Sequence, residues 1–226
     1  MRRPVRSEMS SRAETRQVTY LAIEGLPGSG ATELAVRLAR SLSARLVLDR
    51  ARENPFLEEF LAAPRRAALK AQLFFTLSRY LQQQQIAQHD LFHRMVISDY
   101  LFARDRLYAS LTLDDRELAL YEKMIGVIGT SVPRPDLVVY LPVDATRLEQ
   151  RLGPRGDTPY PGRGDQYLVA LSEAYNYYFF HYEEAPLLIV PSGAGEPARD
   201  ESLYAALLAE LERPHVGVRF LGRNGS

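Results

Sequence analysis

The sequence predicts an α/β fold with a five-stranded parallel sheet flanked by helices. Three observations carry this. Short apolar runs rich in β-branched residues alternate with long stretches of helical periodicity. The first of those runs ends in a glycine-rich loop that opens directly onto a helix. Finally, no internal repeat or second-domain boundary interrupts the alternation, so right-handed crossovers can connect every strand to the next.

Val18–Ile23 is the first strand, and Thr32–Leu42 the helix after it, with apolar residues at helical spacing. Ala44–Leu48, Met95–Ser98, Asp136–Leu141 and Pro186–Val190 read as further buried parallel strands. The longest helix spans Arg65–Gln88, with Leu69, Leu73, Leu77, Tyr80 and Leu81 on a recurring face, and its run Gln82–Gln85 reads as a solvated face. Two more helices cover Asp114 to about Thr130 and Asp165–His181. Gly153–Gly164 holds four glycines and three prolines, the strongest linker signal in the body of the chain. After Pro214, Val216–Leu221 is compatible with a short edge strand or with docking on the core.

The chain has 226 residues, 46% of them hydrophobic, enough for one sizeable core and a single domain over 18–226. Met1–Gln17 is Arg/Ser-rich without an apolar stretch and reads as a disordered tail. Cysteine is absent, so disulfides and thiolate metal sites are excluded. Basic and acidic residues balance at 28 each, which argues against DNA or RNA as a partner. Without an 18-residue apolar run, no membrane association is expected and a cytoplasmic location is.

The loop Gly25–Thr32 nearly matches the phosphate-binding pattern G-x-x-x-x-G-K-[ST]: Gly25, Gly30 and Thr32 fit, with Gly28 and Ser29 inside the loop. The lysine position holds Ala31. Backbone N–H groups at a helix N-terminus can hold phosphate oxygens without it, but no ammonium reaches the outer phosphates. Thr32 stands where a hydroxyl would meet Mg²⁺; it is equally an acceptable first-turn helix residue.

Four runs further along resemble the deoxynucleoside kinase family, above all its bacterial deoxyadenosine and deoxyguanosine kinases: Glu53–Leu57, Gln72–Arg79, Ser98–Ala109 and Pro135–Leu141. Their order and spacing match from about residue 18 to about residue 212. The resemblance implies a P-loop kinase fold with a helical lid, ATP and Mg²⁺ as cofactors if the protein is active, and a homodimer formed through the long helices. It places Asp49 where the family has a glutamate base for the nucleoside 5′-hydroxyl, one methylene shorter here. It makes Gln72 and Asp99 readers of the nucleobase, Arg79 an arginine beside the base and the carboxylate, and Arg94 the arginine of a Glu-Arg-Ser segment. Arg151 and Arg155 become lid arginines that clamp phosphates. By their residue types alone, Asp49 is equally a polar strand end, Gln72 and Arg79 a surface stripe, and Asp99 a helix N-cap.

Several positions depart from the family pattern together. Leu61 replaces the sugar-binding tyrosine, Tyr160 the sugar-binding glutamate, and Asp157 a third lid arginine. Phosphoryl transfer rests on positioning and on neutralising developing charge, and these losses join Ala31 on the ATP side, the lid and the sugar side. The expectation is a kinase-fold protein that has lost efficient ATP-dependent transfer and acts by binding a nucleotide, a nucleoside or a protein partner. The alternative is an active, divergent deoxynucleoside kinase.

Overall fold

The computed structural model describes residues 18–86, 93–143, 165–191 and 195–222. Six parallel strands form one sheet in the order β2-β3-β1-β4-β5-β6. They are β1 (Tyr20–Gly25), β2 (Arg45–Val47), β3 (Val96–Ser98), β4 (Leu137–Leu141), β5 (Leu187–Ile189) and β6 (Val218–Phe220). The helices are α1 (Ala31–Ser41), α2 (Leu57–Ala62), α3 (Pro64–Ile86), α4 (Arg104–Thr112), α5 (Asp115–Ile128), α6 (Asp165–Phe180) and α7 (Glu201–Leu211).

Alternation along β1 divides the interior into two layers, because successive strand side chains point to opposite faces. Tyr20 and Ala22 join a cluster with Phe60, Ala71, Phe75, Tyr108 and Tyr175, contributed by α2, α3, α4 and α6. Leu21 and Ile23 join the other, with Leu34, Leu38, Leu203 and Leu207 from α1 and α7. β1 pairs with β3 on one side and β4 on the other. α1, which follows β1, packs in one layer and α4, which follows β3, in the other, so the chain leaves these neighbouring strands toward opposite faces and a crevice opens at their carboxyl ends.

Two expectations need correction. The sheet has six strands, not five, since β6 extends β5 through Leu187 N–H to Gly217 O and Leu221 N–H to Ile189 O, both bonds 2.9 Å or shorter. Three residues with exposed Val218 and Phe220 give almost no sequence pattern; the free edge of β5 supplies the order. The glutamine run is not a solvated face either, because Gln82 and Gln83 are buried. Gln82 Nε2 donates to Leu48 O at 2.8 Å and Gln83 Nε2 to Tyr20 Oη at 2.9 Å.

The reason lies in how α3 is rotated. Its buried stripe is Ala71, Gln72, Phe75, Thr76, Arg79 and Gln83, at i+3 and i+4 steps. The leucine face turns outward, leaving Leu77 and Leu81 44% and 62% exposed. Each polar group turned inward needs a partner, or it costs about 1–3 kcal/mol.

Candidate active site

β1 delivers the chain to the loop, and glycines allow the loop to close. Gly28 and Gly30 adopt φ of 84° and 90°, the left-handed region that penalises a Cβ. A Cβ on Gly25 would lie 2.5 Å from Ser29 Oγ and 2.8 Å from Leu141 O, so that position admits only glycine. α1 then starts at Ala31 with its first-turn N–H groups directed at the loop. The buried Ser29 Oγ has no hydrogen-bond partner among the described residues. Ala31, Thr32, Asp49, Asp99 and Arg104 border, with the loop, a cleft of about 790 Å³.

Glu24, just before the loop, is a fixture no motif singled out. It is 1% exposed and accepts from Gly25 N–H at 2.8 Å, Leu101 N–H at 2.7 Å and Tyr175 Oη at 3.3 Å. One carboxylate thereby ties the loop to the segment after β3 and to α6. Burial pushes its pKa up, opposed chiefly by the charge of Arg104.

Thr32 Oγ1 donates to Asp99 Oδ2 at 2.7 Å, and Asp49 N–H donates to Asp99 Oδ1 at 2.7 Å. Asp99 thus joins the phosphate loop to the end of β2. Burial raises its pKa against the hydrogen bonds it accepts. Gln72 lies elsewhere, with Nε2 donating to Thr112 Oγ1 at 3.0 Å and a buried Oε1 that has no hydrogen-bond partner among the described residues. The expected grouping of Asp99 with Gln72 is therefore replaced by Asp99 with Thr32, because β3 ends beside β1, not beside α3.

Arg79, two turns beyond Gln72, is 1% exposed and forks onto Asp49: Nε to Oδ1 at 3.2 Å and Nη2 to Oδ2 at 2.8 Å. Its Nη1 also pairs with Asp105 of α4. Asp105 is a site residue the sequence reading passed over, although the adjacent Arg104-Asp105 pair inside a resembling run was a usable signal. Burial drives Asp105 up to about 6 despite Arg79 and Arg104. Asp49 is mostly buried; burial acts upward, but the charges of Arg79 and Arg104 outweigh it and its pKa falls below the ordinary value.

Arg94 requires correction. It is exposed two residues before β3, at the amino end of the strand, whereas the loop cluster sits at the carboxyl ends. In a parallel sheet the amino and carboxyl ends of the strands lie on opposite sides, and Arg94 is not among the residues that line the cleft. Arg104, the first residue of α4 after β3, borders it. The lid residues Arg151, Arg155 and Asp157, with Tyr160, lie outside the described residues. No cluster of three His, Cys, Asp or Glu suited to a metal ion occurs among the described residues.

The comparisons agree with this fold. The family profile described as Deoxynucleoside kinase matches residues 21–210. Among curated proteins, a deoxyadenosine kinase of Dictyostelium discoideum is 32% identical over 161 residues, covering 70% of this chain and 65% of its own, just under two thirds. A deoxyguanosine kinase of Bacillus subtilis is 28% identical over 138 residues, covering 61% of this chain and 67% of its own. The solved deoxyadenosine kinase of M. mycoides with bound dATP superposes with a TM-score of 0.74 at 17% identity, over 86% of this chain and all of that one. With its P-loop fold, its phosphate loop at the sheet's switch point and a profile match along most of its length, the chain belongs to the deoxynucleoside kinase family.

Proposed function

We propose that this protein binds a nucleotide on the loop Gly25–Thr32 and a deoxynucleoside along α3, and that it has lost efficient phosphoryl transfer and acts by binding. The observation that carries this is Ala31, which borders the cleft with a methyl group at the position where the loop pattern puts an ammonium. Two further features support it. Gly28 and Gly30 take the positive φ that such a turn requires, and the buried Ser29 Oγ has no hydrogen-bond partner among the described residues. Asp49 has both oxygens engaged by Arg79 and a lowered pKa, which weakens it as a general base.

Mg²⁺ fits the residues present. The Thr32 hydroxyl and the Asp99 carboxylate already meet at the loop, and a hydroxyl with a carboxylate from a neighbouring strand is the donor pair that P-loop proteins offer this ion. Bound there, Mg²⁺ would neutralise phosphate charge. Arg151 and Arg155 would close over the phosphates, and Gln72 would read the base through its Oε1.

An active, divergent deoxynucleoside kinase is the second reading, favoured by the same Thr32–Asp99 pair and by the basic groups left at the cleft; Asp49 would then be the base. A transfer assay with ATP and the four deoxynucleosides, run beside a calorimetric titration of ATP·Mg²⁺, separates the two. Binding with negligible turnover is expected, and turnover on the order of 1 per second favours the second reading. A homodimer through α3 and α5 fits the exposed Leu77, Leu81, Leu120 and Val127. The same surface is open to a different protein partner. No described helix is long and apolar enough to cross a membrane, and a cytoplasmic setting suits nucleotide ligands.

A further inference from the structure

With alanine at position 31, some other group must meet a phosphate's charge in the cleft. Four arginines border it: Arg50, Arg52, Arg104 and Arg199. The side chains of Arg50 and Arg199 are 60% and 75% exposed, and Arg52 is also exposed, so their charges are hydrated and screened. Arg104 is different. Its side chain is 7% exposed, it starts α4 directly after the segment held by Glu24, and its guanidinium carbon lies 5.5 Å from the centre of the Tyr108 ring. A guanidinium already fixed by packing loses little freedom on binding an oxyanion, and its fork suits phosphate oxygens.

Its surroundings point the same way. Both arginines face Asp49: Arg79 Nη2 lies 2.8 Å from Oδ2 and the same guanidinium pairs with Asp105, and Arg104 Nη1 lies 3.7 Å from Asp49 Oδ2. Arg104 shares with Arg79 the charge acting on Glu24, Asp49 and Asp105, and it also acts on Asp99 beside the loop. A polyphosphate entering this cluster meets carboxylates, and Arg104 is the buried guanidinium facing it from the cleft wall.

We propose that Arg104 is the cation that engages the outer phosphate of a nucleotide seated on Gly25–Thr32, in place of the ammonium that residue 31 does not supply. The inference rests on the reading that the cleft binds nucleotide.

The test is calorimetric titration of the full chain with ATP·Mg²⁺ and with inorganic tripolyphosphate. Arg104→Gln should weaken both by about tenfold or more, the loss of one charge-assisted hydrogen bond. Ala31→Lys should recover most of the affinity in the Arg104→Gln background and add less to the wild-type chain, whereas a merely structural role for Arg104 predicts the same gain in both backgrounds. Should Arg104→Gln fail to melt cooperatively, Asp49→Asn/Arg104→Gln is compared with Asp49→Asn, because that pair removes the acid Arg104 faces. Unchanged affinity in a folded Arg104 variant, or no recovery with Ala31→Lys, overturns the inference and leaves nucleotide binding standing. If the wild-type chain binds neither probe, the nucleotide reading itself falls, and the inference with it.

Discussion

Replacing Arg79 with methionine tests the site's electrostatics most directly. Arg79 is buried between two acids, forked on Asp49 at 2.8 and 3.2 Å and paired with Asp105, with Phe75 and Tyr100 rings 5.4 and 5.7 Å away. Methionine keeps much of the apolar stem and removes the charge, leaving Arg104 to face both carboxylates. Breaking a buried pair from one side costs about 3–5 kcal/mol, a large share of the roughly 5–15 kcal/mol that holds a domain together. At about 2–4 °C per kcal/mol for a domain of this size, the melting temperature should fall by roughly 6–20 °C.

The pH dependence has a definite sign. In the wild-type protein Asp105 titrates near 6, above its ordinary 3.8, so the folded state holds a proton that the unfolded chain releases between those values. Its contribution favours folding at low pH and is lost as pH rises through about 6. Without Arg79 that value rises further and carries the loss into the neutral range. Asp49 behaves oppositely: its lowered pKa gives stability above its ordinary 3.8 that disappears as pH falls. Urea unfolding at pH 5.5 and pH 8 should therefore show a larger deficit for Arg79→Met at pH 8. Adding Asp105→Asn should recover roughly half of it, as expected for coupled neighbours. A loss under about 1 kcal/mol at pH 8, far below that of a broken buried pair, or equal deficits at both pH values, would refute this account of the cluster.

Three further outcomes are expected. Glu24→Gln places an amide donor against two backbone N–H groups and should cost about 1–3 kcal/mol in thermal unfolding; a smaller loss means the loop is not held through this carboxylate. Asp99→Asn should abolish the Mg²⁺ dependence of ATP binding, read by titration with and without EDTA, and an intact Mg²⁺ effect would remove Thr32–Asp99 as the ion's site. Leu81→Asp with Val127→Asp should convert a dimer into a monomer by light scattering, whereas a monomeric wild-type protein rules out the α3/α5 interface.

The five strong strands and the loop were legible because local pattern fixes them: apolar runs suit strands covered on both faces, and Gly25, Gly28 and Gly30 mark a turn other residues cannot make. The sixth strand was legible only as one of two alternatives for Val216–Leu221, since three residues with two exposed side chains become ordered only against β5. The rotation of α3 was not legible. Its leucines carry the stronger periodic signal, but the polar stripe Gln72–Gln83 is buried because Tyr20, Asp49, Asp105 and Tyr121 wait opposite with matching groups.

By itself the sequence determined the family, the strand–loop–helix unit and the alanine at residue 31, since each of these is carried by short local motifs. Tertiary structure alone decided which charges meet. Arg94 and Arg104 lie ten residues apart in the chain, yet a parallel strand runs between them, and only the one at its carboxyl end comes to the cleft. In the same way Asp99 left the base reader it was expected to join and met Thr32, because strand order, which no local pattern encodes, sets β3 beside β1.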